Sequence, residues 1–152
     1  MKRLRYLIPV LLGVALTSSC LKGNDQPVTP NPEGAFSGEF RLISRKPGQT
    51  KIDTAKCNIS LSLTQATASY SVGGDTSKIH AASKGLYGIN GQGIGFADKS
   101  VPATLATTNA PIINGKAHLH GTYLFVYNGS VLQMKTIIGD SLAFEYDLKK
   151  IN

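Results

Sequence analysis

His118 and His120 are separated by one residue, and their spacing is the first in this chain to suggest chemistry. On a strand, residues i and i+2 point the same way, so the two imidazoles would share a face and seed a metal site. A metal needs a third ligand, and only His80 or a distant carboxylate is on offer. The pair also alternates with Leu119, Tyr123 and Phe125, which puts it on an outer face, and no metal site is expected. Glu39, Glu145 and Asp147 take outward places in their strands, and paired acids need a cleft that nothing here implies. No serine sits in a Gly-x-Ser-x-Gly elbow. Gly91-Gln92-Gly93-Ile94-Gly95 lies between two strand patterns, where a phosphate cradle needs a strand and a helix. No catalytic residue and no cofactor is assigned, and the chain reads as a non-enzyme.

The thiols remain. Cys57 belongs to Cys57-Asn58-Ile59-Ser60-Leu61-Ser62-Leu63, which alternates, so it shares a face with Ile59, Leu61 and Leu63. A buried, inert thiol is expected there. Cys20 is different. Lys2, Arg3 and Arg5 precede an apolar run, Leu7 to Leu16, broken only by Pro9 and Gly13, and the small residues Thr17, Ser18 and Ser19 lead to the cysteine. Basic, apolar, small and then a cut is the order of a secretory signal peptide. The run is too short for a membrane-spanning helix, which needs about 20 predominantly apolar residues.

Leu16-Thr17-Ser18-Ser19-Cys20 resembles the lipobox of bacterial lipoproteins, in the relaxed form of Bacteroidota-type lipoproteins where Ser-Ser-Cys or Ser-Cys is common. The resemblance implies that the Cys20 thiol takes a diacylglycerol, that the chain is cut before it, and that the new amine receives a fatty acyl chain such as palmitate. It implies lipid anchoring in the cell envelope, at the outer membrane, with the periplasmic or cell-surface side left open. Each buried methylene contributes about 0.8 kcal/mol, so two or three chains hold where one is reversible.

Removing residues 1–19 from 152 leaves 133, enough for one domain with a core of its own. The charge of +7 also shrinks: without Lys2, Arg3 and Arg5, the 16 basic residues become 13 against 9 acidic ones. The remaining lysines are scattered, which excludes a nucleic-acid footprint. Arg41, Arg45, Lys46, Lys51 and Lys56 make the densest group and read as a solvated face. Residues 20–33 form the lipidated end and a tether stiffened by Pro27, Pro30 and Pro32, reaching at most roughly 45 Å.

From Gly34 to residue 152 the pattern has period two. Phe36, Gly38, Phe40 and Leu42 alternate with Ser37, Glu39 and Arg41, a half-buried strand ended by Pro47-Gly48. Residues 54–63 give a second strand, and Ala68, Tyr70 and Val72 a third, closed by Gly73-Gly74. Residues 75–84 fit either a short helix capped by Asp75 or a strand over 78–82, and the strand is favoured. Asn90-Gly91, Asn114-Gly115 and Asn128-Gly129 each sit between apolar runs, and such pairs suit two-residue hairpins because both residues tolerate positive φ. They predict strands over 87–96, a long strand over 117–127, and a return over 131–138. Gly139-Asp140 then turns into 142–148. Residues 97–111, with Pro102 and Pro111, read as a long loop.

The glycine-aromatic first strand, the meander of short strands and the last strand ending Glu145-Tyr146-Asp147-Leu148-Lys149 resemble the lipocalin-like domains of small bacterial lipoproteins. Gly34-Ala35-Phe36 or Gly38-Glu39-Phe40 stands in for the Gly-x-Trp of many lipocalins, since the chain has no tryptophan. The resemblance implies an all-β, antiparallel barrel of about eight strands. Such barrels are filled by side chains or hold one small ligand. In the first case the protein is a structural or partner-binding envelope lipoprotein. In the second it binds a small apolar or amphipathic molecule, through Phe40, Tyr70, Tyr87, Tyr123, Phe125, Phe144 and Tyr146. Ala68, Gly38, Gly88, Gly95 and Gly121 then mark the interior space.

Overall fold

The computed structural model describes residues 30–46, 48, 50–102 and 112–151. The signal segment, Cys20, most of the tether and residues 103–111 of the long loop lie outside the described residues, as does Pro47 of the first turn. The ten strands are β1 (Gly34–Arg45), β2 (Ile52–Thr64), β3 (Ser69–Gly74), β4 (Ser83–Asn90), β5 (Gly93–Asp98), β6 (Ile112–Ile113), β7 (Lys116–Ala117), β8 (Gly121–Tyr127), β9 (Val131–Ile138) and β10 (Leu142–Ile151). All but β6 and β7 close into one antiparallel barrel of eight strands, in the up-and-down order β1-β2-β3-β4-β5-β8-β9-β10, with β10 returning to β1. The all-β pattern is the one that alternation and turn residues predict, and the closed eight-stranded antiparallel barrel is the one that the resemblance to lipocalin-like domains implies.

Alternation decides the interior. Phe36 and Phe40 of β1, Cys57 to Leu63 at every second place of β2, and Phe144, Tyr146 and Leu148 of β10 are all buried. The end of the barrel where β1 begins is closed by Phe36 against Tyr127, their rings 5.9 Å apart and edge to face. Pro32, just before β1, is buried as well. We call this the tether end.

The opposite end is closed by two irregular segments, residues 75–82 and 112–120. Residues 78–82 are not a strand. His80 forms a single parallel bridge to Ala117, with Ala117 N–H donating to Ile79 O and Ala81 N–H to Ala117 O, each at 2.8 Å. Asn114-Gly115 does turn the chain, at φ 51° and 75°, but its hairpin is only the two-residue pair β6–β7, outside the barrel sheet. The expected long strand over 117–127 is broken at residues 118–120, where Ala117, His118 and Leu119 run consecutively buried. Strand parity therefore fails for His118 and His120. His118 is buried at the barrel end and does not share an outer face with His120.

Four of the five residues expected to leave interior space do not; Gly121 alone keeps the inward parity of Tyr123 with nothing within 4 Å of its Cβ position. Gly88 and Gly95 take the outward places of β4 and β5, alternating with buried Tyr87, Ile94 and Phe96. Ala68 is exposed in the turn before β3. Gly38 does point inward, but the β10 backbone occupies the place of its missing side chain. A Cβ there would collide with the Asp147 carbonyl oxygen and lie 2.9 Å from Leu148 Cα. Glycine at this position lets the first and last strands approach, and it adds no room.

Candidate functional site: an aromatic interior, a buried histidine and an outer groove

Six of the seven residues expected to line a ligand site belong to one run of aromatic contacts, which Tyr70 and Tyr87 join through Phe96. Phe40 lies 4.9 Å from Tyr146 and 5.7 Å from Phe144, ring centre to ring centre. Tyr146 meets Tyr123 at 5.6 Å, and Tyr123 meets Phe96 at 5.8 Å. Phe96 carries the chain on to Tyr70 at 5.0 Å and Tyr87 at 6.3 Å. Most of these pairs are edge to face, the arrangement the ring quadrupole favours, each adding about 0.5–1.5 kcal/mol beyond burial. Phe125, the seventh, faces inward but is only half-buried.

Two groups missed at the sequence level stand where this ring chain meets the closed end. His80 is wholly buried, its ring 4.7 Å from that of Phe40. Its Nδ1 lies 2.7 Å from the Ala81 carbonyl, which can only accept, so Nδ1 carries the proton. Nε2 is then an acceptor, and the Tyr146 hydroxyl donates to it at 2.9 Å. Burial pushes the His80 pKa from 6.5 down to about 4, so the ring is neutral at pH 7. Burial also holds the Tyr146 phenol well above its ordinary value. Asp98 points into the barrel, its Oδ2 2.8 Å from His118 Nδ1 and its Oδ1 accepting from the Ser100 N–H at 2.7 Å and from the Ser100 hydroxyl. The Tyr70 hydroxyl donates to Leu119 O at 2.6 Å. Two buried hydroxyls, those of Ser83 and Tyr123, have no hydrogen-bond partner among the described residues.

Asp98 was legible in part: it continues the inward parity of Ile94 and Phe96, and a carboxylate there demands a partner. His80 was not, because residues 75–82 carry no period.

A carboxylate holding an imidazole in one tautomer is half of a nucleophile-activating triad. The other half is missing among the described residues: Ser100 donates to Asp98 itself, and no serine or cysteine is hydrogen-bonded to His118. Nor does any group of three His, Cys, Asp or Glu side chains converge among the described residues as a metal would need. Cys57 is a free, buried thiol, and burial raises its pKa.

The outer surface offers a different kind of site. A groove of about 490 Å³ runs over β8, β9, β10 and β1, between Leu124 and Val126 on one side and Arg41 and Glu145 on the other. Register explains its pattern: Leu124 is opposite Lys135, Lys135 opposite Glu145, Glu145 opposite Arg41, and Arg41 opposite Lys56. Glu145 joins Lys135 at 2.8 Å and Arg41 at 3.2 Å, and Glu39 joins Arg41 at 3.2 Å and Lys56 at 3.1 Å. The Lys135 hydrogen bond holds the Glu145 carboxyl below its ordinary range, with Arg41 assisting. Exposed pairs of this kind contribute about 0–1 kcal/mol each, so the ladder is a surface pattern more than a source of stability. Beside it, Leu124 and Val126 are each 69% exposed and Ile137 66%.

No protein-family model matches this chain, and no curated protein or solved structure matches it either. Among the described residues no helix is long and apolar enough to cross a membrane.

Proposed function

We propose that the mature protein is a lipid-anchored, non-catalytic component of the bacterial cell envelope, held at the outer membrane by acyl chains on Cys20. Its barrel is a filled scaffold, and it acts by presenting the outer groove to a protein partner. The observation that supports the reading is the continuous aromatic packing of Phe144, Phe40, Tyr146 and Tyr123, extended through Phe96 to Tyr70 and Tyr87, which is how core residues pack. The groove supports it from outside. A sheet face with bare Leu124 and Val126 beside a sign-alternating charge row combines an apolar anchor with a polar rim. A small apolar or amphipathic ligand inside the barrel is the second reading. The observation in its favour is the Tyr123 hydroxyl, wholly buried without a hydrogen bond among the described residues.

Two variants separate anchoring from recognition. Cys20→Ser is expected to leave the protein unprocessed or soluble, without incorporating a fatty-acid probe. A Cys20→Ser protein that still labels and partitions with membranes rejects the lipid anchor. Leu124→Glu with Val126→Glu is expected to leave the thermal midpoint within a few degrees of wild type, since both side chains already face water. It should abolish in-cell crosslinking to whichever envelope protein the wild type captures. Unchanged crosslinking, or native mass spectra of wild type carrying a small molecule lost on Tyr123→Trp, would favour the ligand reading instead.

A further inference from the structure

The structure points to a conformational device at the end of the barrel away from the tether. We propose that residues 75–82 and 112–120 form a plug, held in the barrel by side chains that include His80 and His118, and that acid loosens it at His80. The inference is independent of what the outer groove binds.

The plug is tied to itself by backbone and to the wall largely by side chains. The Ile79–Ala117 and Ala81–Ala117 hydrogen bonds join its two segments, as does Lys116 Nζ donating to the Thr76 carbonyl at 3.1 Å. To the wall it is joined by His80 to Tyr146 of β10, by His118 to Asp98 of β5, and by Tyr70 of β3 to the Leu119 carbonyl. The Asp98 N–H also donates to His120 Nδ1 at 3.3 Å, and the Asp75 N–H to Asn58 O at 2.9 Å. Few strand hydrogen bonds and a handful of side-chain pins describe a segment that opens locally before the barrel unfolds.

His80 is the pin that cannot accept a proton in place. Protonation makes Nε2 a donor, so the Tyr146 hydroxyl would have to reverse. The groups facing the ring are Phe40 from β1, Cys57 from β2, Asp98 from β5, Tyr146 from β10 and His118 from the other plug segment. Asp98 is the one carboxylate among them, and its oxygens already serve His118 and Ser100. A cation at His80 would be buried with no carboxylate hydrogen-bonded to it, and the attraction of Asp98 is smaller than the cost of burial.

The sign follows from linkage. The closed form holds His80 near 4, whereas an exposed imidazole titrates at 6.5. The open form therefore binds more protons in the window between. The preference for closure is complete above 6.5, declines as pH falls through that window, and reaches its full loss below 4. Each pH unit inside the window is roughly tenfold, so moving from pH 7.5 to 5 shifts the plug toward opening by about 30-fold.

Cys57 reports the event, because its thiol lies under the His80 backbone N–H and is otherwise inert. The test uses the full chain with Cys20→Ser, so that Cys57 is the only thiol, and a disulfide reagent that reacts at acid pH, such as dithiodipyridine. After correction for the denatured protein's own pH profile, Cys57 labelling should accelerate about 30-fold from pH 7.5 to 5. His80→Gln, which keeps an acceptor for Tyr146 but does not titrate, should flatten that profile. Hydrogen exchange of the wild type gives a second readout that needs no variant: residues 75–82 and 112–120 should lose protection at pH 5 while β1 and β10 keep theirs. A flat wild-type profile, an unchanged slope in His80→Gln, or loss of protection across plug and barrel together overturns the proposal.

Discussion

Gly38→Ala is expected to destabilise the barrel by about 3 kcal/mol, the upper end of what overpacking costs, although the substitution adds one methyl group. Gly38 faces Leu148 across the β1–β10 seam, and the added Cβ would occupy the Asp147 carbonyl. Neither neighbour can yield as a flexible side-chain tip would, because both contacts are backbone. The seam matters more than other strand pairs because it joins the first barrel strand to the last. Strands so distant in sequence incur the full loop-closure entropy before their contacts repay it. Gly88→Ala is the control: nothing lies within 4 Å of its Cβ position, and it faces outward. It should be neutral or slightly stabilising, since alanine restricts the unfolded chain more than glycine does. Urea midpoints of both variants decide the matter. A Gly38→Ala midpoint equal to that of Gly88→Ala would show that β1 and β10 do not approach as closely as described.

The barrel was legible because its signals are local. Alternation of Phe36, Phe40 and Leu42 with Ser37, Glu39 and Arg41 sets the inward face. Glycine-containing turns join two hairpins where Asn90-Gly91 and Asn128-Gly129 mark them, although the loops are Gly91-Gln92 and Asn128-Gly129-Ser130 and neither Asn90 nor Asn128 takes the positive φ expected of it. The outward place of Gly88 and Gly95 was legible by the same rule, from their alternation with Tyr87 and Phe96. Reading them as interior space ignored it. Asn114-Gly115 shows where local signals stop. The turn forms, but whether its arms join the barrel depends on what waits at the end of β5 and β8, and β6 and β7 pair with each other. The break at 118–120 has the same origin. Leu119 is held by Tyr70 and His118 by Asp98, partners 49 and 20 residues away, and these contacts outweigh the strand propensity of the run. The plug and its histidines were illegible for that reason. The outer charge ladder lay between the two cases: its members' outward parity was visible, but their order around the barrel is set by cross-strand register.

Phe40→Ala separates a filled barrel from a ligand-binding one more sharply than any binding assay on the wild type. In the filled barrel, the Phe40 ring is wholly buried against His80, Phe144 and Tyr146. Its removal should cost about 3–5 kcal/mol, the lost transfer energy plus the cavity left behind. In a ligand-lined lumen the same ring would face open space, and truncation would cost little stability while weakening the ligand. The cavity supplies a second readout. An apolar hole of benzene size stays dry and takes up small aromatic molecules. Benzene or indole should therefore raise the thermal midpoint of Phe40→Ala and leave the wild type unchanged, because a ligand that binds only the folded form stabilises it by mass action. A Phe40→Ala midpoint close to wild type, or a wild type that itself gains stability from the same molecules, would move the aromatic chain from core back to binding site.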